Sequence, residues 1–420
     1  MIKICSKIMI FAIIFSVKIS IASETQSEKT QDIEEIIKLS EEGSAEAQFK
    51  LGNRYYDGDG VEKDLSKSFQ WTKKAAEQGF KSAQYNLGRL YYNGEGTERN
   101  YEESLKWFEK ASIQGSGWAM FELGRMYSIG QGTNKDKNKA IEWFKKSAEK
   151  GFDLAQEQLG LLYVKGIGVE QDYQKGYEWL EKSAIQGNSN ACFYIGMMYV
   201  EGAGVKRNIT EALKYIEIAA NKNHPEAQYK LGSFYFKGEG VTQNFTEAFK
   251  WLTKAVENGN DYAKVPLAIM YYKGDGVTKD IQKGLELCKL VADKNIPYAQ
   301  HIYAVMLLSM LPLNIDECLK WYIKAANQYY TESQYALAEL YFYGKNGVKK
   351  DIVEAYKWIS ISWVLDPKSK FPYNITLFKD IYSQMSRKEK KKGDTVVKEY
   401  AKQYKIKLPD NYIPNMEGCL

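Results

Sequence analysis

The chain has 420 residues, is 44% hydrophobic and 26% charged, and carries a formal net charge of +5. That composition is ordinary for a globular protein and excludes a disordered or collagen-like chain. Two histidines leave little material for histidine-based catalysis or a zinc site, and five cysteines in a chain of this length are not a disulfide scaffold.

The first predicted element is a targeting segment. Lys3 and Lys7 precede a ten-residue apolar run, Ile8 to Val17, which is too short to span a bilayer as a helix. Ser20 and Ala22 then place small residues at −3 and −1 of a cleavage point, so residues 1–22 read as a secretory signal peptide and 23–30 as a polar linker. Lys18 departs from that pattern and leaves an uncleaved amphipathic anchor as the alternative. Cleavage removes three lysines and no acid, which leaves about +2 and no bulk attraction to nucleic acid. After cleavage no transmembrane span is expected.

Beyond the linker the chain is governed by a repeat. Leu-Gly recurs every 36 residues from Leu51-Gly52 through Leu87-Gly88, Leu123-Gly124, Leu159-Gly160 and Ile195-Gly196 to Leu231-Gly232. It then becomes Leu267-Ala268, Tyr303-Ala304 and Leu337-Ala338. Columns of Trp (Trp71, Trp107, Trp143, Trp179) and Tyr (Tyr55, Tyr91, Tyr127, Tyr163) run in phase with it. Glycine follows the same phase, with 28 of 33 falling in the Leu-Gly column, the connecting loop or the end of the second helix. In copy two the spacing predicts helix A near 81–93 and helix B near 101–114. Helix B opens on an Asp or Asn cap such as Asp64, Asn100 or Asp136, and Asn100/Glu103, Asn208/Glu211 and Asn244/Glu247 suggest capping boxes. Helix B closes on a Gly or Asn suited to a left-handed turn. Glycine inside helix A costs about 1 kcal/mol against alanine, so its recurrence implies close approach of helix B. One hairpin cannot bury both of its faces, so nine copies must stack as a solenoid.

The two ends fit that architecture. Residues 32–42 align with the end of a helix B and read as an N-terminal half-repeat, with the solenoid over 31–365. Residues 366–420 read as basic capping helices, near 375–384 and 387–403, and a tail. The run Arg387-Lys388-Glu389-Lys390-Lys391-Lys392 is either a solvated helix start or a site for an acidic partner or anionic membrane surface. In copy seven, Pro266 falls about six residues into the predicted helix A and should bend it. Copy eight loses its Gly-x-Gly loop. These departures are either drift or a bend that shapes a site.

The pattern A-x-x-x-LG-x-x-Y-x-x-G-x-GV-x-x-D-x-x-x-A-x-x-W-x-x-KAA resembles the Sel-one-like repeat (SLR), a relative of the tetratricopeptide repeat. Good copies are AQYNLGRLYYNGEGTERNYEESLKWFEKAS (83–112) and AQYKLGSFYFKGEGVTQNFTEAFKWLTKAV (227–256). The resemblance implies an all-α, right-handed α-solenoid, and a non-enzymatic scaffold that binds a protein or peptide in its concave groove. Exported relatives of this kind act in envelope regulation or at the host interface, so a periplasmic or secreted monomer is expected. By analogy with the tetratricopeptide fold, groove positions on helix A fall on Asn53, Tyr56, Tyr85, Arg89, Tyr92, Phe121 and Arg125. The column of Tyr85 and Phe121 either lines this groove or packs between neighbouring A helices.

No catalytic, metal or cofactor site is assigned. Gly-x-Gly lacks the preceding strand of a phosphate loop, and the Asp57–Gly60 stretch lacks a closing bidentate Glu for calcium. His224 and His301 read as local hydrogen-bonding residues, and Cys288 and Cys318 as free thiols. One branch of the family has paired cysteines in every repeat and is linked to β-lactam binding or hydrolysis. That pairing is absent here, so a cell-wall or β-lactam enzyme is the alternative. A eukaryotic secretory adaptor is a further one, should the sequons at Asn208, Asn244 and Asn374 be glycosylated.

Overall fold

The computed structural model describes residues 32–310, 314–366 and 373–409. The expected signal peptide and linker, part of the copy-eight loop, residues 367–372 and the last eleven residues, Cys419 among them, lie outside the described residues. Among those described the regular elements are helical, with no strand. The fold is an all-α solenoid. The chain divides into two units, Met1–Asn208 and Ile209–Leu420.

Unit one begins with α1 (32–41), the half-repeat. Its hairpins are built from α2 Ala45–Asp57, α3 Leu65–Glu77, α4 Lys81–Asn93, α5 Tyr101–Ile113, α6 Gly117–Ile129, α7 Lys137–Glu149, α8 Asp153–Lys165, α9 Tyr173–Ile185 and α10 Ser189–Glu201. Ile33 and Ile36 of α1 bury against Leu51, which closes the first repeat. Arg54 ties α1 to α2 by pairing with Asp32 at 2.7 Å and with Asp59.

Unit two runs α11 Ile209–Asn221, α12 Pro225–Lys237, α13 Phe245–Glu257, α14 Lys264–Lys273, α15 Ile281–Ala292, α16 Pro297–Leu308, α17 Ile315–Ala326, α18 Thr331–Tyr343 and α19 Ile352–Leu365. The caps α20 Tyr373–Gln384 and α21 Arg387–Gln403 complete it. Leu377, Phe378, Ile381, Val397 and Ala401 of these caps join the core of the last repeats. A Cβ on Gly393 would lie 2.6 Å from the Tyr356 ring, so glycine lets α21 sit directly on α19.

The helical glycine of the Leu-Gly column faces the residue after Trp on helix B. A Cβ on Gly88 would meet Phe108 at 2.7 Å, and one on Gly124 would meet Phe144 at 2.6 Å. In copy seven the column becomes Ala268, and small Cys288 stands where a Phe or Leu stood. The added methyl is matched by a smaller partner.

The Trp column itself is amphipathic. Phe108 and Phe144 are buried, and so are Trp107, Trp251, Trp321 and Trp358, whereas Trp71, Trp143 and Trp179 are half-buried. A lysine one turn on covers the outer face of each indole: Lys110 over Trp107 at 3.8 Å, Lys146 over Trp143 at 4.3 Å, Lys182 over Trp179 at 3.9 Å and Lys324 over Trp321 at 3.9 Å. The stem shields the ring and the ammonium meets its π-face.

A glutamine column was not apparent from the sequence pattern. Gln84 Nε2 donates to the Ala76 carbonyl at 3.3 Å and its Oε1 accepts from Gln114 at 2.7 Å. Gln156 with Gln186, Gln228 with Asn258, and Gln300 with Gln328 repeat the second bond at 2.8–2.9 Å. Each buried amide gives a second hydrogen bond to a carbonyl at the end of the preceding helix B, which already accepts from the backbone N–H three residues on.

Three local expectations are corrected. Pro266 does not bend a helix. A 3-10 turn at Asp261–Ala263 precedes α14, which restarts at Lys264, so the proline occupies the first turn, where its missing N–H costs nothing. The capping boxes at copies two and six are incomplete. Asn100 accepts from the Glu103 amide at 3.0 Å, but its own amide donates to Tyr91 O at 2.9 Å, and Glu103 pairs with Lys106 instead. The full reciprocal box occurs at Ser386/Glu389. The left-handed residue after helix B is Gly at 79, Asn at 223 and 295, and Tyr at 329, where φ is 66°. Tyr329 is held there by its hydroxyl, which donates to Tyr404 O at 2.6 Å.

Candidate functional site

Helices α2, α4 and α6 carry the seven groove residues expected from the sequence. Asn53, Tyr56 and Arg89 line one pocket of ≈ 210 Å³, together with Asn86, Leu90 and Glu95. The Asn86 amide nitrogen donates to Asn53 Oδ1 at 3.1 Å. That leaves the Asn53 N–H2 and the Asn86 carbonyl oxygen as a donor and an acceptor side by side, the complement of a peptide group.

The tyrosines stitch repeats together. Tyr56 donates its hydroxyl to Glu95 Oε2 at 3.2 Å, and Tyr92, one repeat on, donates to Gln131 Oε1 at 2.6 Å. Both rings are half-buried, so each contributes to the fold as well as to the surface.

The column containing Tyr85 and Phe121 divides. Tyr85 is half-buried, with its ring centroid 5.7 Å from Phe108 and 6.3 Å from Trp118. Phe121 is 8% exposed and lies between Phe144 and Phe152, at 5.6 and 5.3 Å. Phe121 is thus core packing rather than groove lining, because Phe152, the residue before α8, closes over it.

The arginines are exposed. Arg125 Nη1 pairs with Glu122 Oε2 at 3.1 Å. Arg89 makes no ion pair among the described residues. Burial pushes the Glu122 carboxyl above its ordinary range, against the pull of Arg125 and Arg89. One partly buried carboxylate thus faces two guanidiniums, and Arg125 already holds it.

Trp118, which the sequence pattern did not single out, is 51% exposed and packs against Phe152, with ring centroids 4.2 Å apart and the planes tilted by 58°. It stands at the start of α6, and Tyr85 bridges it to the arginines. The signal was available: Trp118 falls outside the Trp column, at the position held by Glu46 and Ser82 in copies one and two. A Trp that the repeat does not require is a candidate contact residue.

The described cysteines lie in the core. Cys192, Cys288 and Cys318 are buried, and Cys288 and Cys318 are free thiols. Burial pushes Cys288 and Cys318 up to about 12. His224 Nδ1 accepts from the Ala227 amide at 3.2 Å and caps α12. Among the described residues no group of three or more His, Cys, Asp or Glu is placed to hold a metal ion. No described helix is long and apolar enough to cross a membrane.

Solved structures similar to the chain share this architecture. One is c5321, a protective antigen of uropathogenic Escherichia coli displaying an SLR fold. It is 31% identical with a TM-score of 0.77, over 89% of this chain and 80% of that one. A Sel1 repeat protein from Oxalobacter formigenes is 32% identical with a TM-score of 0.54, over 64% of this chain and 78% of that one. The comparison with curated proteins gives no match. The Sel1 repeat matches residues 45–80, 81–116, 119–152, 153–188, 189–224, 225–260, 266–296, 297–330 and 331–361, and the chain belongs to the Sel1 repeat family.

Proposed function

We propose that the protein is an exported, non-enzymatic scaffold that holds a protein or peptide partner on the A helices of copies one to three. Sel1-repeat proteins are generally protein-interaction scaffolds, which supports the class of function. The observation that carries the site is Arg89. It is an exposed guanidinium without an acid of its own, set between the Asn53–Asn86 amides and Tyr85, with exposed Trp118 beyond. Arg and Trp are the side chains enriched among residues that dominate protein interfaces. Export rests on the pattern of residues 1–22, and a role in envelope regulation or at a host surface follows from it. The E. coli relative's description as a protective antigen agrees with that placement. The enzymatic alternative is disfavoured by the buried thiols.

Arg89→Glu with Arg125→Glu should abolish partner capture from envelope or host extracts. Both positions are solvent-exposed, and the cost is the exposed ion pair with Glu122, so stability should fall by no more than about 1 kcal/mol per site. A pull-down run beside a thermal melt checks both. Full capture with an unchanged melt would move the site off this face. Lost capture with a collapsed melt would make the arginines structural. The signal peptide is tested separately, by the mass of the protein recovered from the periplasm or medium: an N-terminus still at Met1 would contradict cleavage.

A further inference from the structure

The chain's charge is unevenly distributed. Residues 363–420 hold 12 Lys and Arg against 7 Asp and Glu, a surplus equal to the whole formal net charge of +5. The rest of the chain is balanced. Helix α21 gives that surplus a geometry. Gly393, Val397, Tyr400 and Ala401 bury one face against α19. The opposite face carries Arg387, Lys388, Lys391, Lys392, Lys398 and Lys402, all exposed, with Glu399 as its one acid. None of these six cations makes an ion pair among the described residues. The other acids of the helix are occupied elsewhere: Glu389 bonds Ser386 at 2.6–2.8 Å and Asp394 accepts from the Tyr356 hydroxyl at 2.8 Å. Lys390 lies over the Tyr382 ring at 3.9 Å.

This arrangement works against the helix. Two of the six cations, Arg387 and Lys388, stand in its first turn, at the positive end of the peptide dipoles, where a positive charge is destabilising. Packing does not require them either, because the buried face is made by other residues. A row of cations that packing does not require, two of them where the helix disfavours positive charge, marks a surface that meets negative charge.

We propose that the solvent face of α21 docks the protein on a membrane surface bearing anionic lipid headgroups. The helix is about 25 Å long, so its cations can meet several headgroups at once. Five of the six are lysines, whose hydrated point charges suit mobile headgroups that rearrange to meet them. Bidentate recognition of fixed phosphates favours arginine forks. No aromatic ring is exposed on this face to stack a base. The apolar side of the helix is spent on the protein core, so docking is electrostatic and peripheral, without insertion.

The test uses the full chain and vesicles of phosphatidylcholine with or without roughly a third phosphatidylglycerol, at low and high salt. Each basic residue near an anionic surface contributes about a fivefold change in partition. The variant Lys388→Glu/Lys391→Glu/Lys398→Glu/Lys402→Glu should therefore bind anionic vesicles at least about a hundredfold more weakly. The parent should lose binding as salt rises and should ignore neutral vesicles beyond any contribution of residues 8–17. Lys388→Glu alone should leave the melt unchanged or raised, because it repairs the dipole, yet still weaken binding. Lys→Arg at the same four positions should keep binding. Should the fourfold Glu variant not fold, Lys391→Gln/Lys398→Gln and the salt dependence decide in its place. Equal binding to neutral vesicles, undiminished binding by the charge variants, or tighter binding to duplex DNA than to anionic vesicles would each overturn the proposal.

Discussion

Phe144→Ala should destabilise unit one by roughly 3–5 kcal/mol, as buried aromatic truncations do. Trp143→Ala, one residue earlier, should cost clearly less. The Trp143 ring is half-buried and lidded by Lys146, whereas Phe144 is buried against the backbone of Gly124. The sequence alone points the other way, because Trp is the more regular column. Gly124→Ala gives an independent reading of the same contact. Alanine gains about 1 kcal/mol of helix propensity over glycine. Its Cβ, however, would sit 2.6 Å from the Phe144 ring, and overpacking costs typically 1–3 kcal/mol. The substitution should therefore be net destabilising, where a solvent-facing glycine would show the reverse. Combining it with Phe144→Cys should give a favourable coupling, since Ala268 with Cys288 already occurs in copy seven. Urea melts of Phe144→Ala, Trp143→Ala, Gly124→Ala, Phe144→Cys and the Gly124→Ala/Phe144→Cys double variant measure these terms. If Trp143→Ala costs more than Phe144→Ala, Phe144 is not the residue that seals the hairpin against Gly124.

Part of the stability should also be lost between pH 6.5 and pH 4 through His301. His301 is half-buried, with Nδ1 2.9 Å from Ser333 Oγ and its ring 5.5 and 5.2 Å from those of Tyr322 and Tyr330. Burial holds the imidazole down to about 4. The unfolded chain binds a proton near the ordinary value of about 6.5. Between those values the unfolded state takes up a proton that the folded state refuses. The contribution is thus intact above pH 6.5, lost progressively as pH falls, and fully lost near pH 4. Its full size is on the order of 3 kcal/mol. His301→Gln keeps a hydrogen-bonding group toward Ser333 and removes the titration. Melts of the parent and this variant at pH 7, 5.5 and 4.5 should diverge at low pH. Parallel curves would mean that His301 is as protonatable in the fold as in water.

The repeat made most of the fold readable. Period, hairpin, cap residues and the close approach at Gly88 and Gly124 all follow from residues in phase. What escaped has physical reasons. Pro266 was misplaced because the period fixes where a helix should start, while the chain can open it later with a 3-10 turn. The capping boxes were overcounted because the Tyr91 carbonyl competes for the Asn100 amide, a contact made across a loop. The buried glutamines were missed because polar side chains are read as surface until their partners are seen. At the candidate site, the arginines were legible as exposed positions on helix A. The division between Phe121 and Tyr85 was not, because it depends on Phe152 closing over one and leaving the other open. Trp118 was visible as a departure from the period, and a repeat draws the eye to what conforms.

The most direct test of the binding face is photo-crosslinking from single positions in living cells. A photoreactive amino acid at position 118 samples the start of α6, beside Tyr85 and the arginines. The same group at position 106 samples the exposed side of helix B, where Lys106 pairs with Glu103. Binding on the A helices predicts a discrete crosslinked partner from position 118 that disappears on Arg89→Glu/Arg125→Glu, and none from position 106. A partner trapped from 106 and not from 118 would place binding on the opposite face and contradict it.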